Sequence, residues 1–240
     1  MTHASAVAGD RRAELAASLA RLRDRIAAAC QAAGRAGDEI TLVAITKTFP
    51  ASDVRLLHGL GVLDVGENRD AEAAPKAAEC ADLADLTWHF VGQLQSNKCA
   101  SVVSYAQVVH SVDRPHLVRV LARQARRAGR AVTCLIQVSL DGDPARGGAL
   151  AADVPGLAAA VAAEEGLVLG GVMAIAPLGM PAAQAFAPLP ELSAAVRAVR
   201  PAAGIISAGM SGDLEEAVAA GATHVRVGTA LLGGRPALVR

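Results

Sequence analysis

The sequence predicts an α/β fold, a single (β/α)8 TIM barrel with an additional N-terminal helix, and one domain over residues 1–240. The main observation is that eight short apolar runs of strand length alternate with helical patterns along the chain. The second is that polar residues and glycines cluster where these runs end. An open doubly wound sheet is the alternative, but it more often stops at about five or six strands and has a glycine-rich first turn. The first run here continues instead as Thr46-Lys47-Thr48-Phe49-Pro50.

The elements are predicted in chain order from this periodicity. An opening helix over about Asp10–Gly34 carries apolar side chains on one face, so it should pack on the barrel. These side chains are Leu15, Leu19, Leu22, Ile26 and Cys30. The strands are predicted at Ile40–Thr46, Val62–Gly66, Thr87–Val91, Gln107–Ser111, Val132–Ser139, Leu167–Ala174, Gly204–Ala208 and His224–Gly228. The helices between and after them are predicted at Ser52–Gly59, Arg69–Cys80, Gln95–Ser104, Arg114–Ala128, Asp153–Glu164, Ala182–Val199 and Gly212–Ala220.

Charge and hydropathy argue against nucleic-acid and membrane partners. The chain has 23 basic and 23 acidic residues, whereas a binder of nucleic acid or anionic membranes would carry a basic excess. Aromatic residues make up only 2%, which leaves little for base stacking. Met1–Leu19 holds charges where a signal peptide needs an apolar region. The uncharged run between Glu165 and Glu191 contains four prolines, so it predicts strand, loop and helix rather than a transmembrane span.

The cysteines and the acidic residues predict no redox or metal chemistry. The four cysteines have irregular spacing and no CxxC pair, so they are interpreted as reduced, buried thiols of a cytoplasmic protein. The histidines and carboxylates are too scattered for a metal site. The sequence contains no recognisable acid pair or Ser/His/Asp triad.

The lysines are the most informative residues in the composition. Only three of the 23 basic residues are lysine, namely Lys47, Lys76 and Lys98, and the other 20 are arginine. Lysine can lose its proton and form a Schiff base, whereas arginine stays protonated. Lys76 is expected on a polar helix face. Lys47 differs because it directly follows the first strand, at the barrel end where active sites are built.

Two loops near the end of the chain predict a phosphate site. Ser207-Ala-Gly-Met-Ser211-Gly opens a helix after the seventh strand, and Gly228-Thr229-Ala230 follows the eighth. Small residues and hydroxyls at such positions expose backbone N–H groups to an anion, although either loop alone could simply be a tight turn. A phosphate site beside an isolated lysine suggests a phosphorylated aldehyde held as an imine. The cofactor that fits is pyridoxal 5′-phosphate (PLP).

Five motifs, which cover nearly the whole chain from about Asp10 to Gly233, resemble the YggS/PROSC family of PLP homeostasis proteins. The barrel of that family is similar to the N-terminal barrel of alanine racemase. The motifs are Val43-Ala-Ile-Thr-Lys47-Thr, Gly66-Glu-Asn-Arg, Trp88-His-Phe-Val-Gly-Gln-Leu-Gln-Ser-Asn-Lys98, Ser207-Ala-Gly-Met-Ser211-Gly-Asp-Leu and Val225-Arg-Val-Gly-Thr-Ala.

The resemblance implies roles for eight residues. Lys47 would form the internal aldimine, Asn68 would lie beside the cofactor, and Arg226 would face the pyridine nitrogen. An arginine there keeps the ring nitrogen unprotonated and weakens the ring as an electron sink. The phosphate would be contacted by Ser211, Gly228 and Thr229, with Ser207 and Met210 lining that pocket. The sequence departs from the commonest family pattern at Ala208 and at Arg146, and arginine at the second position cannot form an aldimine.

The function implied is a carrier or buffer of intracellular PLP without robust catalytic activity, in the cytoplasm and as a monomer or weak dimer. Its partners would be PLP itself and PLP-dependent apo-enzymes. A PLP-dependent amino-acid racemase is the alternative, but racemisation needs two bases, and the second in alanine racemases is a tyrosine supplied through an added C-terminal domain. The single tyrosine here, Tyr105, is predicted at the wrong end of the barrel. A generic barrel with structural turns is a third interpretation, and the roles of His89, Gln93, Lys98 and Asp113 stay open.

Overall fold

The computed structural model describes residues 3–143 and 146–234. Eight parallel strands close into a barrel in which each strand pairs with its neighbours in sequence and β8 pairs with β1. The strands are β1 Thr41–Ile45, β2 Asp64–Glu67, β3 Thr87–Phe90, β4 Val108–Val112, β5 Val132–Val138, β6 Leu167–Ala174, β7 Ile205–Ser207 and β8 His224–Val227. Each strand boundary lies within two residues of its prediction. The predicted barrel is therefore confirmed.

Helices follow the strands and cover the outside of the barrel, as the alternation in the sequence predicts. The helices are α1 His3–Ala32, α2 Ala51–His58, α3 Asp70–Glu79, α4 Cys99–Tyr105, α5 Pro115–Ala128, α6 Val154–Ala162, α7 Ala182–Phe186, α8 Leu189–Val199, α9 Leu214–Ala219 and α10 Thr229–Leu232. The predicted apolar face of α1 is buried, and α1 packs against α2, α9 and α10. The additional helix thus covers the side where the barrel closes.

Four helical predictions differ from the structure. The opening helix begins at His3 and not at about Asp10, and α4 begins at Cys99, after a 3-10 turn at Ser96–Lys98, and not at Gln95. The single helix predicted at Ala182–Val199 is divided into α7 and α8, with Pro188 at the N-cap of α8. Proline lacks a backbone N–H and its ring clashes with the preceding turn, so it interrupts one helix and suits the start of the next. The loop predicted after the eighth strand is the short helix α10, with Gly228 at its N-cap.

The uncharged run from Glu165 to Glu191 forms β6, a loop and the start of the α7–α8 segment, as predicted. Across residues 3–143 and 146–234, no helix combines the length and the apolar character needed to cross a membrane. All four cysteines are buried free thiols. That the barrel constitutes one domain over residues 1–240 stays a prediction, because residues 1–2, 144–145 and 235–240 lie outside the described part.

The apolar core lies between the barrel and its helices, whereas the interior of the barrel is mixed. Val108, Leu135 and Met173 form a small apolar cluster of their own. Several polar side chains are also buried in the strands, namely His89, His110, Gln137, Ser207 and Arg226. Buried polar groups are usually hydrogen-bonded, and every one of these side chains except Gln137 has a hydrogen-bond partner among the described residues, so the set indicates a built polar arrangement beneath one end of the barrel.

Candidate functional site

A cavity of about 490 Å³ opens at the carboxyl ends of the strands, where barrel enzymes build their sites. Its wall is formed by the ends of most of the strands and by the loops that follow them. Seven of the eight predicted site residues line it, namely Lys47, Asn68, Met210, Ser211, Arg226, Gly228 and Thr229. The topology therefore brings together residues that are up to 182 positions apart in the sequence.

Lys47 lies in the turn directly after β1 and is half-buried at the cavity wall. Its amine makes no hydrogen bond or ion pair with the residues that the structure describes. The next residue, Thr48, has φ of 69°, in the left-handed region that a β-branched residue rarely adopts. A free primary amine thus projects from a sharply constrained turn at the mouth of the barrel.

The loops after β7 and β8 are joined to each other and to α1. Ser211 Oγ accepts a hydrogen bond from the Ala230 backbone N–H at 3.4 Å. Arg25 of α1 donates to the Ser211 carbonyl oxygen at 2.7 Å and forms an ion pair with Glu215 at 2.5 Å. Hydroxyl groups of both loops, from Ser211 and Thr229, therefore lie at one side of the cavity in a fixed arrangement.

Gly92 sets the position of Asn68, which follows β2. A Cβ atom at Gly92 would lie 2.0 Å from the Asn68 carbonyl oxygen. Only glycine allows the segment after β3 to approach the segment after β2 this closely. Asn68 is thereby held at the cavity wall, half-buried, between the ends of two adjacent strands.

Arg226 forms the floor of the cavity from within β8. It is 4% exposed, and it donates hydrogen bonds to Ser207 Oγ at 2.7 Å and to the Ala174 carbonyl oxygen at 3.0 Å. Burial lowers the pKa of Arg226 to about 10, which leaves it cationic at neutral pH. Ser207 itself is fully buried beneath this guanidinium and is not at the cavity wall, so its described contacts are with Arg226 and His110.

A chain of hydrogen bonds runs from Arg226 through the barrel interior to Asp64. His110 Nδ1 lies 3.0 Å from Ser207 Oγ, and His110 Nε2 lies 2.8 Å from His89 Nδ1. His89 Nε2 then lies 2.9 Å from Asp64 Oδ1. Arginine can only donate and an ionised carboxylate can only accept, so with both histidines neutral each intermediate group accepts one hydrogen bond from the Arg226 side and donates one toward Asp64.

This direction requires a neutral His110, and the buried surroundings of His110 favour its neutral form. Burial, reinforced by His89 and Arg226, lowers the pKa of His110 well below its ordinary value. His89, whose role the sequence left open, is thus a hydrogen-bonded core histidine and does not line the cavity. This chain of hydrogen bonds fixes the orientation of Arg226 from below, because each partner is itself hydrogen-bonded to the next.

The half-buried His224 predicts an acid-sensitive fold. Burial, with repulsion from His89, lowers the pKa of His224 from 6.5 to about 4. The unfolded chain therefore binds this proton first, and the free energy of unfolding should fall as the pH drops from about 6.5 to about 4. Denaturant titrations across this range should show a weaker pH dependence for His224→Gln. His116→Gln, at an exposed helix position, is the control and should keep the original slope. An unchanged slope in His224→Gln would contradict the assignment.

The expectation for Lys76 is wrong. It is 7% exposed, and its amine bonds Glu67 Oε1 at 2.5 Å and the Thr46 carbonyl oxygen at 2.8 Å. The sequence shows a charged residue on α3, whereas the fold places the fully buried Glu67 of β2 against it. Lys98 lies exposed in a 3-10 turn after β3 and does not line the cavity.

Sequence reasoning also missed Gln137, which lines the cavity from β5 and is 8% exposed. Its side-chain amide has no hydrogen-bond partner among residues 3–143 and 146–234. The available signal was a polar amide in a strand that is apolar apart from Thr133. Arg146 and Gln93 line the cavity as well, and Arg146 is bound to Asp141 at 3.2 Å and to the Ala176 carbonyl oxygen at 3.1 Å.

Two alternatives are a metal centre and a racemase with a tyrosine as its second base. The described part of the chain provides neither a metal-binding group nor a tyrosine at the cavity. No group of three or more His, Cys, Asp or Glu side chains there is arranged to hold a metal ion. Tyr105 is buried at the end of α4, lines a different surface depression beside Trp88, and has its pKa raised by burial. It therefore does not reach the cavity that contains Lys47.

Comparison with known proteins agrees with this geometry. The chain matches the family described as the alanine racemase N-terminal domain over residues 17–236. It is 45% identical to the pyridoxal phosphate homeostasis protein of Mycobacterium tuberculosis (strain ATCC 25618 / H37Rv), over 94% of this chain and 95% of that protein. The structure of PipY of Synechococcus elongatus PCC7942 with PLP bound is 37% identical, covers 91% of this chain and 100% of its own, and has a TM-score of 0.80.

These matches first define the class, a barrel of the alanine racemase N-terminal domain type. Alanine racemase from Corynebacterium glutamicum shares this fold with a TM-score of 0.68 at 14% identity, covering 95% of this chain and 64% of that chain. Within the class, the chain belongs to the family of pyridoxal phosphate homeostasis proteins. The resemblance predicted from the strand-end motifs is confirmed.

Proposed function

We propose that this protein binds PLP at the cavity around Lys47 and acts as a carrier or buffer of the cofactor. The observation that carries the proposal is the combination, in one cavity, of a free lysine amine with two joined hydroxyl-bearing loops. The relatives support the same ligand, since PipY is a protein whose structure has PLP bound. When bound, PLP supplies an aldehyde that links covalently to a primary amine.

The residues present fit this cofactor. Lys47 would hold the aldehyde carbon, and the hydroxyls of Ser211 and Thr229 with the backbone at Gly228 would hold the phosphate. Arg226, fixed from below by Ser207 and the Ala174 carbonyl oxygen, would present its charge to the pyridine ring. Asn68 and Met210 would contact the cofactor from the two sides of the cavity. The size of the cavity, about 490 Å³, suits a ligand of this class.

The composition of the cavity wall supports binding rather than catalysis. Its described residues include no Asp, Glu, His, Tyr or Cys side chain, so Lys47 is the one side chain there of a type that serves as a general acid or base. A racemase must deliver a proton to the face opposite the one it left. One lysine returns the proton to the face it came from.

The carrier proposal predicts that no D-amino acid accumulates. The PLP-loaded protein is mixed with an L-amino acid, and chiral chromatography follows the D-isomer against a control of free PLP without protein. The expected rate equals that control, and exchange of the Cα proton in D2O should be slow. Production of the D-isomer at about one turnover per second, within the ordinary enzymatic range, would replace the carrier by a racemase.

The remaining parts of the proposal concern location and partners. The four buried free cysteines support a reducing compartment such as the cytoplasm. PLP-dependent apo-enzymes are the proposed recipients of the cofactor, and the protein is proposed to be a monomer or a weak dimer. Transfer is tested by mixing the PLP-loaded protein with an apo-enzyme and following the activity that the apo-enzyme gains.

A further inference from the structure

We propose that Glu72 and Lys76 of α3 are positioning residues that hold the two peptide groups on either side of Lys47. This inference rests on the proposed function, because it concerns the lysine that would take the cofactor. It gives a role to the buried Lys76 and to the strained turn at Thr48, which the binding of PLP does not by itself explain.

The contacts lie on both sides of Lys47. Lys76 Nζ donates to the Thr46 carbonyl oxygen at 2.8 Å, which belongs to the peptide group before Lys47. The Thr48 backbone N–H donates to Glu72 Oε2 at 3.3 Å and belongs to the peptide group after Lys47. Glu72 and Lys76 are four residues apart on one helix, so their side chains share a face. One turn of α3 therefore hydrogen-bonds to the backbone on both sides of Lys47.

The first contact is anchored by a buried ion pair. Lys76 and Glu67 have side chains that are 8% and 0% exposed, with Nζ and Oε1 separated by 2.5 Å. Thr46 Oγ1 donates to the same carboxylate oxygen at 2.6 Å. The other oxygen, Glu67 Oε2, is buried and has no partner among the described residues. Such a pair is costly to bury, which argues that it is kept for the geometry it imposes on Thr46.

The second contact lies at the strained residue. Thr48 has φ of 69°, and a β-branched residue adopts this conformation only when its surroundings hold it there. Its own N–H is the group bound by Glu72. Releasing that bond would let Thr48 relax toward an extended conformation, which would rotate the peptide after Lys47 and redirect the amine.

The positioning should act on the covalent step and not on the affinity for the ring or the phosphate. In that step the neutral Lys47 nitrogen attacks the aldehyde carbon of PLP, a carbon–nitrogen double bond forms, and the aldehyde oxygen leaves as water. The phosphate loops follow β7 and β8, and Arg226 lies on β8, and no hydrogen bond joins these residues to Glu72 or Lys76 in the described structure. A ligand without the aldehyde should therefore not depend on α3.

The test compares Glu72→Ala with Glu72→Gln, which keeps an acceptor for the Thr48 N–H. Stopped-flow absorbance measures how fast the lysine-bound PLP band forms, and calorimetry measures the affinity for pyridoxine 5′-phosphate, which lacks the aldehyde. We expect Glu72→Ala to slow band formation about three- to tenfold, the scale of one typical hydrogen bond, because this contact is long and solvent-exposed. Glu72→Gln should stay within about twofold of the original rate, the scale of retaining that bond. Glu79→Ala, on an exposed position of the same helix, is the matched control.

The buried contact is tested by the double variant Glu67→Gln/Lys76→Met, which removes both charges together and so avoids an uncompensated one. It should slow band formation as well while binding pyridoxine 5′-phosphate normally. Without any ligand, the amide of Thr48 should exchange with deuterium faster in Glu72→Ala than in the original protein.

Three results would overturn the inference. Original band-formation rates in both Glu72→Ala and the double variant would remove the role of α3. If the variants that slow band formation also lost about three- to tenfold in affinity for pyridoxine 5′-phosphate, the substitutions would distort the cavity in general and not act through positioning of Lys47. Failure of the unaltered protein to form the band at all would overturn the proposed function, and the inference with it. The first two results concern only the variants, so they overturn the inference and leave the proposed function standing.

Discussion

Lys47→Ala is expected to abolish the absorption band of the lysine-bound cofactor and all borohydride-reducible attachment of PLP, with the fold intact. Lys47 carries the one amine at the cavity wall among the described residues, and it is half-buried and free of competing hydrogen bonds. Lys47→Arg should have the same effect, because a guanidinium cannot form the linkage. Absorbance spectra before and after borohydride, with mass spectrometry of the reduced protein, measure the loss.

The matched control for this prediction is Lys98→Ala, at an exposed lysine outside the cavity. It should keep the band and a stoichiometric adduct. Lys76 is a poor alternative acceptor, since its amine is bound to Glu67 and to the Thr46 carbonyl oxygen. A stoichiometric reducible adduct in Lys47→Ala would mean that one of these other lysines is the attachment site.

Ser211→Ala and Thr229→Ala are each expected to weaken PLP binding by about 1.5–3 kcal/mol, the range for hydrogen bonds to charged groups. This corresponds to roughly a ten- to 150-fold rise in Kd. The hydroxyls lie at the same side of the cavity, and Ser211 Oγ is tied to the backbone of the neighbouring loop. Binding of unphosphorylated pyridoxal should barely change, because it lacks the group these hydroxyls would contact. Fluorescence or calorimetric titration with both ligands measures the difference.

Ser104→Ala removes an exposed hydroxyl from α4, far from the Lys47 cavity, and should alter neither affinity. Equal losses for PLP and pyridoxal in Ser211→Ala or Thr229→Ala would mean that these residues act on the fold or on the ring. The assignment of the phosphate to these two loops would then be wrong.

In the proposed carrier, the pairing of a lysine with cationic and neutral side chains would let one barrel bind a reactive cofactor without using it for catalysis. Arg226 stays charged at neutral pH because its pKa, lowered to about 10 by burial, is still far above 7. The hydrogen bonds from Arg226 through Ser207, His110 and His89 end on Asp64, so the guanidinium is held in place by groups that do not reach the cavity. Among the described residues of the cavity wall, Lys47 is the one side chain of a type that serves as a general acid or base.

Sequence periodicity alone determined the barrel, its eight strands and the end at which the site is built. Each of these depends on local patterns and on one general rule, that parallel strands of a closed barrel direct their carboxyl ends to one rim. Lys47, Asn68, Ser211, Gly228 and Thr229 follow strand ends in the sequence, so their meeting at one cavity could be predicted before any distance was known.

The tertiary structure alone decided what lies beneath and beside that cavity. Whether Lys76 is a surface charge or a buried anchor depends on Glu67 arriving from β2, and whether Ser207 faces a ligand or supports Arg226 depends on His110 arriving from β4. Gln137 likewise reaches the cavity only through the way β5 sits in the barrel. The physical reason is that the burial and the partners of a side chain are set by the register between strands and by helix packing, which local sequence patterns do not contain.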